Sequence, residues 1–186
     1  NQAQYRLAAA TYLLQPGTPF LYYGEEVGMS AHPDLQGDPK LRVPMSWSAD
    51  VRNSGFSQAT PFRSFAANSQ KNNVELQAAQ SDSLYRFYAD LLKLRNRYPS
   101  LAKGDYAQAF VQGKAIGFQR EWQGERALVL INYGLSEQIG KLENLIPAAE
   151  RETVLVEDAS SLRTDDKGRA RIILKPQSVQ VFIQKK

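Results

Sequence analysis

The sequence has no cysteine, a single histidine and only two methionines in 186 residues. Without cysteine there are no disulfides and no thiolate metal sites. His32 cannot form a histidine cluster by itself, and no cofactor signature appears. No apolar run approaches the ~20 residues of a membrane span, so no membrane partner is expected. A basic patch is also missing. The 23 basic and 19 acidic residues leave a net charge of +4, and the basic ones are scattered. That pattern lacks the electrostatic footprint of a nucleic-acid binder. Asn1-Gln2-Ala3-Gln4-Tyr5 has neither the basic start nor the apolar core of a signal peptide. The chain starts without Met and turns helical almost at once, as a processed or truncated chain does. What remains, 42% hydrophobic and 23% charged, is globular composition sufficient for one good core or two small ones.

Tyr5, Leu7, Ala8, Ala9, Tyr12 and Leu13 recur at helical spacing, and Pro16-Gly17 stops the pattern. Thr18 to Gly24 follows, with Phe20, Leu21, Tyr22 and Tyr23 consecutive. A continuous apolar run of this kind predicts a strand covered on both faces. The polar exit Glu25-Glu26 comes next. Residues 27–80 read as a long irregular segment rich in Gly, Pro, Asn, Ser and Gln. A structureless stretch of that length means a functional loop or an element the pattern does not reveal, and Trp47, Phe56, Phe62 and Phe65 imply that it packs on something. Leu84, Phe87, Tyr88, Leu91, Leu92 and Arg95 then predict an amphipathic helix, with N-cap candidates at Ser81, Asp82 and Ser83 and a stop at Pro99.

After Pro99 the pattern becomes that of strands. They are expected at 105–111, 115–122, 127–133, 153–156, 170–174 and 179–183. A hairpin signal lies at Gln123-Gly124-Glu125, and a turn, Asp165-Asp166-Lys167-Gly168, precedes the strand at 170–174. This predicts an antiparallel β-sandwich over 100–186, with a domain boundary near residue 100.

The stretches "PGTPFLYYGEEVGM", "RVPMSW", "GFSQATPF" and "DSLYRFYADLLKLRNRYPSLAKGDY", followed by an all-β tail, resemble the α-amylase family of glycoside hydrolases over essentially the whole chain. The resemblance implies an α+β piece: the last βα unit of a (β/α)8 TIM barrel, then a C-terminal antiparallel sandwich. Residues 1–99 would be the end of the catalytic barrel. Thr18 to Gly24 would be its eighth strand, 27–80 the loop after it and Asp82 to Tyr98 the eighth helix. The strand's neighbours would be the first and seventh barrel strands. Neither is in this chain, so the missing N-terminal barrel portion is one expected partner and self-association another.

Family members work with an Asp nucleophile, a Glu acid/base and a stabilising Asp, all on earlier strands. None of these motifs is present, so no catalytic residue is carried over. The parent would act on an α-glucan or oligosaccharide by hydrolysis or transglycosylation. The resemblance leaves bond specificity open. It leaves the compartment open too, with the periplasm or the exterior slightly favoured.

Retaining hydrolysis needs two carboxyl groups ~5 Å apart across one bond. Glu25 and Glu26 are adjacent and would point to different sides of an extended chain. They read as surface or loop-anchoring carboxylates, or one of them, with Glu25 as the candidate, as a rim residue of a sugar cleft. Arg42 and Trp47 are candidates for pairing with a carboxylate and for stacking on a pyranose, or else they anchor the loop with Pro44 and Met45. His32 is the remaining sugar-contact candidate. Tyr22 and Tyr23 read as packing residues. Asp34 and Asp38 do not fit a calcium loop, and no metal is expected. For the tail, Trp122 and Tyr133 are candidate sugar platforms in a carbohydrate-binding reading. The alternative is a purely structural domain.

Overall fold

The computed structural model describes residues 1–142, 151–156, 162–165, 167 and 169–184. The chain groups into two compact units, one of residues 1–19 with 91–186 and one of residues 20–90. This grouping differs from a linear division at residue 100. The first helix and the residues just before 100 go with the β-strands.

In the first unit, helix α1 (Gln2–Leu14) opens with a capping box between Asn1 and Gln4, which satisfies two of the orphan N–H groups at a helix start. Its Ala9, Ala10, Leu13 and Leu14 are fully buried. After the central helix, a short helix α4 (Pro99–Lys103) begins with Pro99 at its first position. The expected helix stop is therefore also a helix start. Proline lacks an N–H that the first turn would leave unpaired anyway. The Glu125 carboxylate accepts from the Ser100 N–H at 2.8 Å and from its hydroxyl at 2.7 Å, which closes the same turn.

The strands are β1 (Asp105–Gln112), β2 (Ala115–Trp122), β3 (Glu125–Asn132), β4 (Gln138–Leu142), β5 (Arg151–Val156), β6 (Arg163–Thr164), β7 (Ala170–Leu174) and β8 (Ser178–Gln184). They form a five-stranded sheet, β1-β2-β3-β8-β5, and a three-stranded sheet, β4-β7-β6. Every pairing is antiparallel. Leu128, Leu130 and Phe182 of the large sheet pack against Leu142, Ala170, Ile172 and Leu174 of the small one. On the opposite face of the large sheet, Ala127, Val129, Ile131, Val179, Val181 and Ile183 are all fully buried, and α1 and α4 cover that side. Burial on both faces explains why β3 reads as a continuous apolar run; β8, which reads as alternating, is buried on both faces as well, with Gln180 included. Strands β4 and β6 were not expected. β4 alternates as Gln-Ile-Gly-Lys-Leu, with too few apolar residues to announce itself. In the turn expected at 165–168, residues 166 and 168 lie outside the described residues. Asp165 accepts the N–H groups of Lys167 and Arg169 at 3.0 and 2.9 Å.

In the second unit, Thr18 to Gly24 is not a strand. The predicted element is absent, and Phe20, Leu21, Tyr22 and Tyr23 stand 88, 42, 47 and 42% exposed. A strand exists only as a member of a ladder, and no described strand pairs with this backbone, whose hydrogen bonds are local turns such as Glu25 N–H to the Tyr22 carbonyl and Met29 N–H to that of Gly24. The segment ends at Gly24, whose φ of +89° permits the turn, and enters a 3-10 turn at Glu25–Val27.

The long segment after it has structure of its own: a 3-10 turn at Asp38–Leu41, and helix α2 (Val74–Ala78) capped by Asn73. Its amides explain its composition. Asn72 donates to the Val27 carbonyl at 2.9 Å, Gln77 to the same oxygen at 2.8 Å, and Asn68 to Gly28 at 2.9 Å. Side chains that bond to backbone replace the ladders that an irregular segment lacks. Helix α3 (Leu84–Arg97) starts at Ser83, whose hydroxyl accepts from the Arg86 N–H at 3.2 Å.

Candidate functional site

Unit 20–90 holds an open cleft of about 420 Å³. Its wall comes from "RVPMSW" and from the segment around "GFSQATPF", facing Tyr23 and Glu26. Val43 and Met45 are buried and fix the backbone, whereas Trp47 is half exposed. The fixing is explicit: the Trp47 N–H donates to the Ser54 carbonyl at 2.9 Å, and the Trp47 carbonyl accepts from Glu75 at 2.9 Å. Residues 43–46 are all buried, so the segment is anchored along its length and leaves Arg42 and Trp47 exposed at its two ends. Phe56 and Phe62 add aromatic surface, Phe62 being 96% exposed with the Arg63 guanidinium 5.6 Å from its ring centre.

Arg42 stands between this cleft and a neighbouring one that Tyr22, Asp38 and Leu41 line. Its Nε lies 2.7 Å from the Asp38 carboxylate, with both side chains well exposed. Such a pair is weak, and it leaves the guanidinium available to a ligand. The Tyr23 hydroxyl donates to the Val43 carbonyl at 2.9 Å, and its ring lies 4.8 Å from that of Tyr22. Burial pushes the Tyr23 phenol up and Tyr22 pushes the same way, against the pull of Arg42 and Arg63.

Of the residues predicted from sequence, Arg42 and Trp47 therefore line one cleft. Glu25 and His32 are not among its lining residues. Glu25 is exposed on the 3-10 turn. His32 orders its own loop: its N–H donates to the Lys40 carbonyl, and its Nδ1 accepts the Asp34 N–H at 3.2 Å. The carboxylate at the cleft is that of Glu26, which also accepts the Gly24 N–H at 2.8 Å. The parity of a 3-10 turn, unlike that of an extended exit, decides which glutamate faces inward. No sequence signal distinguishes the two. Tyr23 is the other lining residue that sequence reading assigned to packing. Among the described residues, no three His, Cys, Asp or Glu side chains come together as a metal cluster.

A family model described as "Alpha amylase, catalytic domain" matches residues 1–104. The chain is 39% identical over 115 residues to trehalose synthase/amylase TreS of Mycobacterium tuberculosis (strain CDC 1551 / Oshkosh), covering 58% of this chain and 19% of that protein. It is 26% identical over 210 residues to a probable oligo-1,6-glucosidase 3 of Bacillus subtilis (strain 168), covering 94% of this chain and 37% of that one. Among solved structures, a trehalulose synthase in complex with Tris superposes with a TM-score of 0.78 at 22% identity, over 98% of this chain and 38% of its own. An isomaltulose synthase from Klebsiella sp. LX3 does so with a TM-score of 0.76. The chain thus spans between about a fifth and two fifths of the length of these relatives.

Proposed function

The chain belongs to the α-amylase family of glycoside hydrolases, and on that footing we propose that it is part of an enzyme that cleaves or transfers α-glucosidic bonds of glucans or oligosaccharides. In this reading, residues 1–99 complete the (β/α)8 catalytic barrel as its last βα unit. Residues 100–186 are the C-terminal β-domain. The cleft of unit 20–90 is a wall of the sugar site, and the reacting carboxylates come from elsewhere in the whole protein.

The observation that carries the proposal is the pairing of Arg42 with Trp47 at one cleft. A half-exposed indole offers a flat apolar face to the C–H groups of a pyranose. A guanidinium beside it offers a rigid fork of donors for sugar hydroxyls or for a carboxylate at the reacting centre. Glu26 supplies one acid, and retaining chemistry needs two.

The experiment is a kinetic comparison of the whole protein with its Trp47→Ala and Arg42→Ala variants on maltose, isomaltose and sucrose. Loss of a stacking and orienting wall should raise KM more than it lowers kcat. Unchanged kinetics in both variants, or no α-glucosidase or transfer activity in the whole protein, would overturn the proposal.

For the β-domain, a structural reading is favoured over Trp122 and Tyr133 as sugar platforms. The Tyr133 hydroxyl lies 2.6 Å from that of Thr11 on α1, and the Lys103 ammonium sits 5.8 Å from the Trp122 ring centre. Both rings are thereby engaged within their own unit.

A further inference from the structure

Strand β1 contains a β-bulge. The register passes from Tyr106↔Arg120 to Gln108↔Gln119 and leaves Ala107 unpaired. Bulges re-aim side chains, and here the result is specific. Without the extra residue, Ala107 would stand opposite Gln119; with it, Gln108 does. The row continues Gln119↔Leu128 and Leu128↔Phe182. Residues directly opposite share a face, and Leu128 and Phe182 belong to the core between the two sheets. Gln119 therefore points into the sandwich, and Gln108, itself exposed, stands opposite it at the β1 edge, where an apolar pair would be expected.

They face a crevice of about 390 Å³, whose lining includes Gln108, Phe110, Gln119, Leu128 and, from the opposite sheet, Lys141 and Leu142. That volume lies within the range of roughly 300–1,000 Å³ typical of small-molecule sites. Gln119 is only 8% exposed. Its Nε2 donates to the Gln108 Oε1 at 3.1 Å. Among the described residues, the Gln119 Oε1, the Gln108 Nε2 and the Lys141 ammonium have no further partner. The Gln119 Oε1 is open to the crevice, where a ligand can reach it.

The Phe110 ring is also placed with care. It lies against Gly117, where a Cβ would stand 2.2 Å from two ring carbons. Only glycine allows this close approach, which seats the Phe110 ring in the crevice lining.

We propose that this crevice is a binding site for a neutral pyranoside, separate from the cleft of unit 20–90. A sugar hydroxyl donates and accepts at once, and so does a carboxamide. Two amides with one free acceptor and one free donor match adjacent ring hydroxyls. Lys141 supplies a third donor, and Phe110 and Leu128 supply the apolar contact for the C–H face. The proposal stands on these residues and does not depend on the function assigned to the Trp47 cleft.

The test is saturation-transfer NMR on the 186-residue chain, with methyl α-D-glucopyranoside as the probe. This method tolerates association of the protein. Gln119→Leu places an apolar side chain in an apolar row, and Lys141→Ala changes an exposed residue, so at least one variant keeps the fold. Thermal melting confirms which. The expected result is a saturable signal that each variant weakens about tenfold in affinity and that Trp47→Ala leaves in place. A signal that disappears only with Trp47→Ala, one that neither crevice variant changes, or no signal from the unaltered chain overturns the proposal.

Discussion

Arg95 and Arg120 converge on one carbonyl oxygen, that of Gln15, from 2.9 and 3.1 Å. Arg95 also donates to Leu13 at 2.6 Å and to Gly17. Arg120, fully buried, donates to Leu14 and Gly104 at 3.0 Å and to Leu101. The acceptors are the carbonyls that α1 and α4 leave unpaired at their carboxyl ends, where a positive charge is also favoured by the helix dipole. Two like charges are held together by backbone oxygens. Burial, and after it the charge of Arg95, push the Arg120 pKa down to about 10.

Replacing Arg120 by Met should therefore destabilise the unit sharply, because several buried carbonyls lose their donor at once. The expected loss is about 2–4 kcal/mol, read as a fall in denaturation midpoint. Arg120→Lys should recover only part of it, since three donors on one nitrogen cannot span the same fork. A melting curve unchanged in Arg120→Met would show that the clamp contributes nothing.

The sign of the pH dependence follows from the lowered Arg120 pKa. The charged form is disfavoured in the fold, so the folded state releases this proton before the unfolded state does. Taken alone, the group makes the fold more stable as pH rises above about 10. Below that value its contribution is flat. Stability of the Arg120→Met variant relative to the parent chain should therefore show no pH dependence between neutrality and pH ~9; a steep trend there would contradict this assignment.

A piece beginning at residue 100 keeps Arg120 and loses the Leu14 and Gln15 acceptors. It should still give β-type circular dichroism and a cooperative transition, because the sandwich core between Leu130 and Ile172 is intact. Its midpoint should lie below that of residues 1–186. A disordered spectrum would mean that α1 is part of the folding unit and not merely a stabilising addition.

The 186-residue chain by itself should not hydrolyse maltooligosaccharides or nitrophenyl α-glucosides, since the cleft carries one lining carboxylate. Supplying the rest of the barrel in trans should restore turnover. Hydrolysis by the purified chain that disappears in Glu26→Gln would show that a second acid has been overlooked.

Phe20, Leu21, Tyr22 and Tyr23 form a consecutive exposed apolar run. Surfaces of this kind drive association. Light scattering should give a mass above 20.9 kDa at working concentration, and Phe20→Ser with Leu21→Ser should reduce it. A monodisperse monomer would remove the expectation.

How much the sequence determines can be judged residue by residue. Helix α1, helix α3 and strands β2 and β7 follow from local periodicity, because each has one clear apolar face or a firm turn at its end. The family follows from "RVPMSW" and its companions, which are specific in combination. The continuous run at 20–23 signalled burial on both sides, but burial needs partners, and none of the described residues offers it a ladder.

Only the tertiary structure decided three further things. One is that Glu26 and not Glu25 meets Arg42 and Trp47, which depends on the turn of a single 3-10 element. Another is that the amides of Asn68, Asn72 and Gln77 close on Val27 and Gly28 from 40, 45 and 50 positions away. The last is that one unpaired alanine in β1 sets Gln108 opposite Gln119. Each rests on contacts distant in sequence or on a one-residue shift in register, and side-chain periodicity carries no record of either.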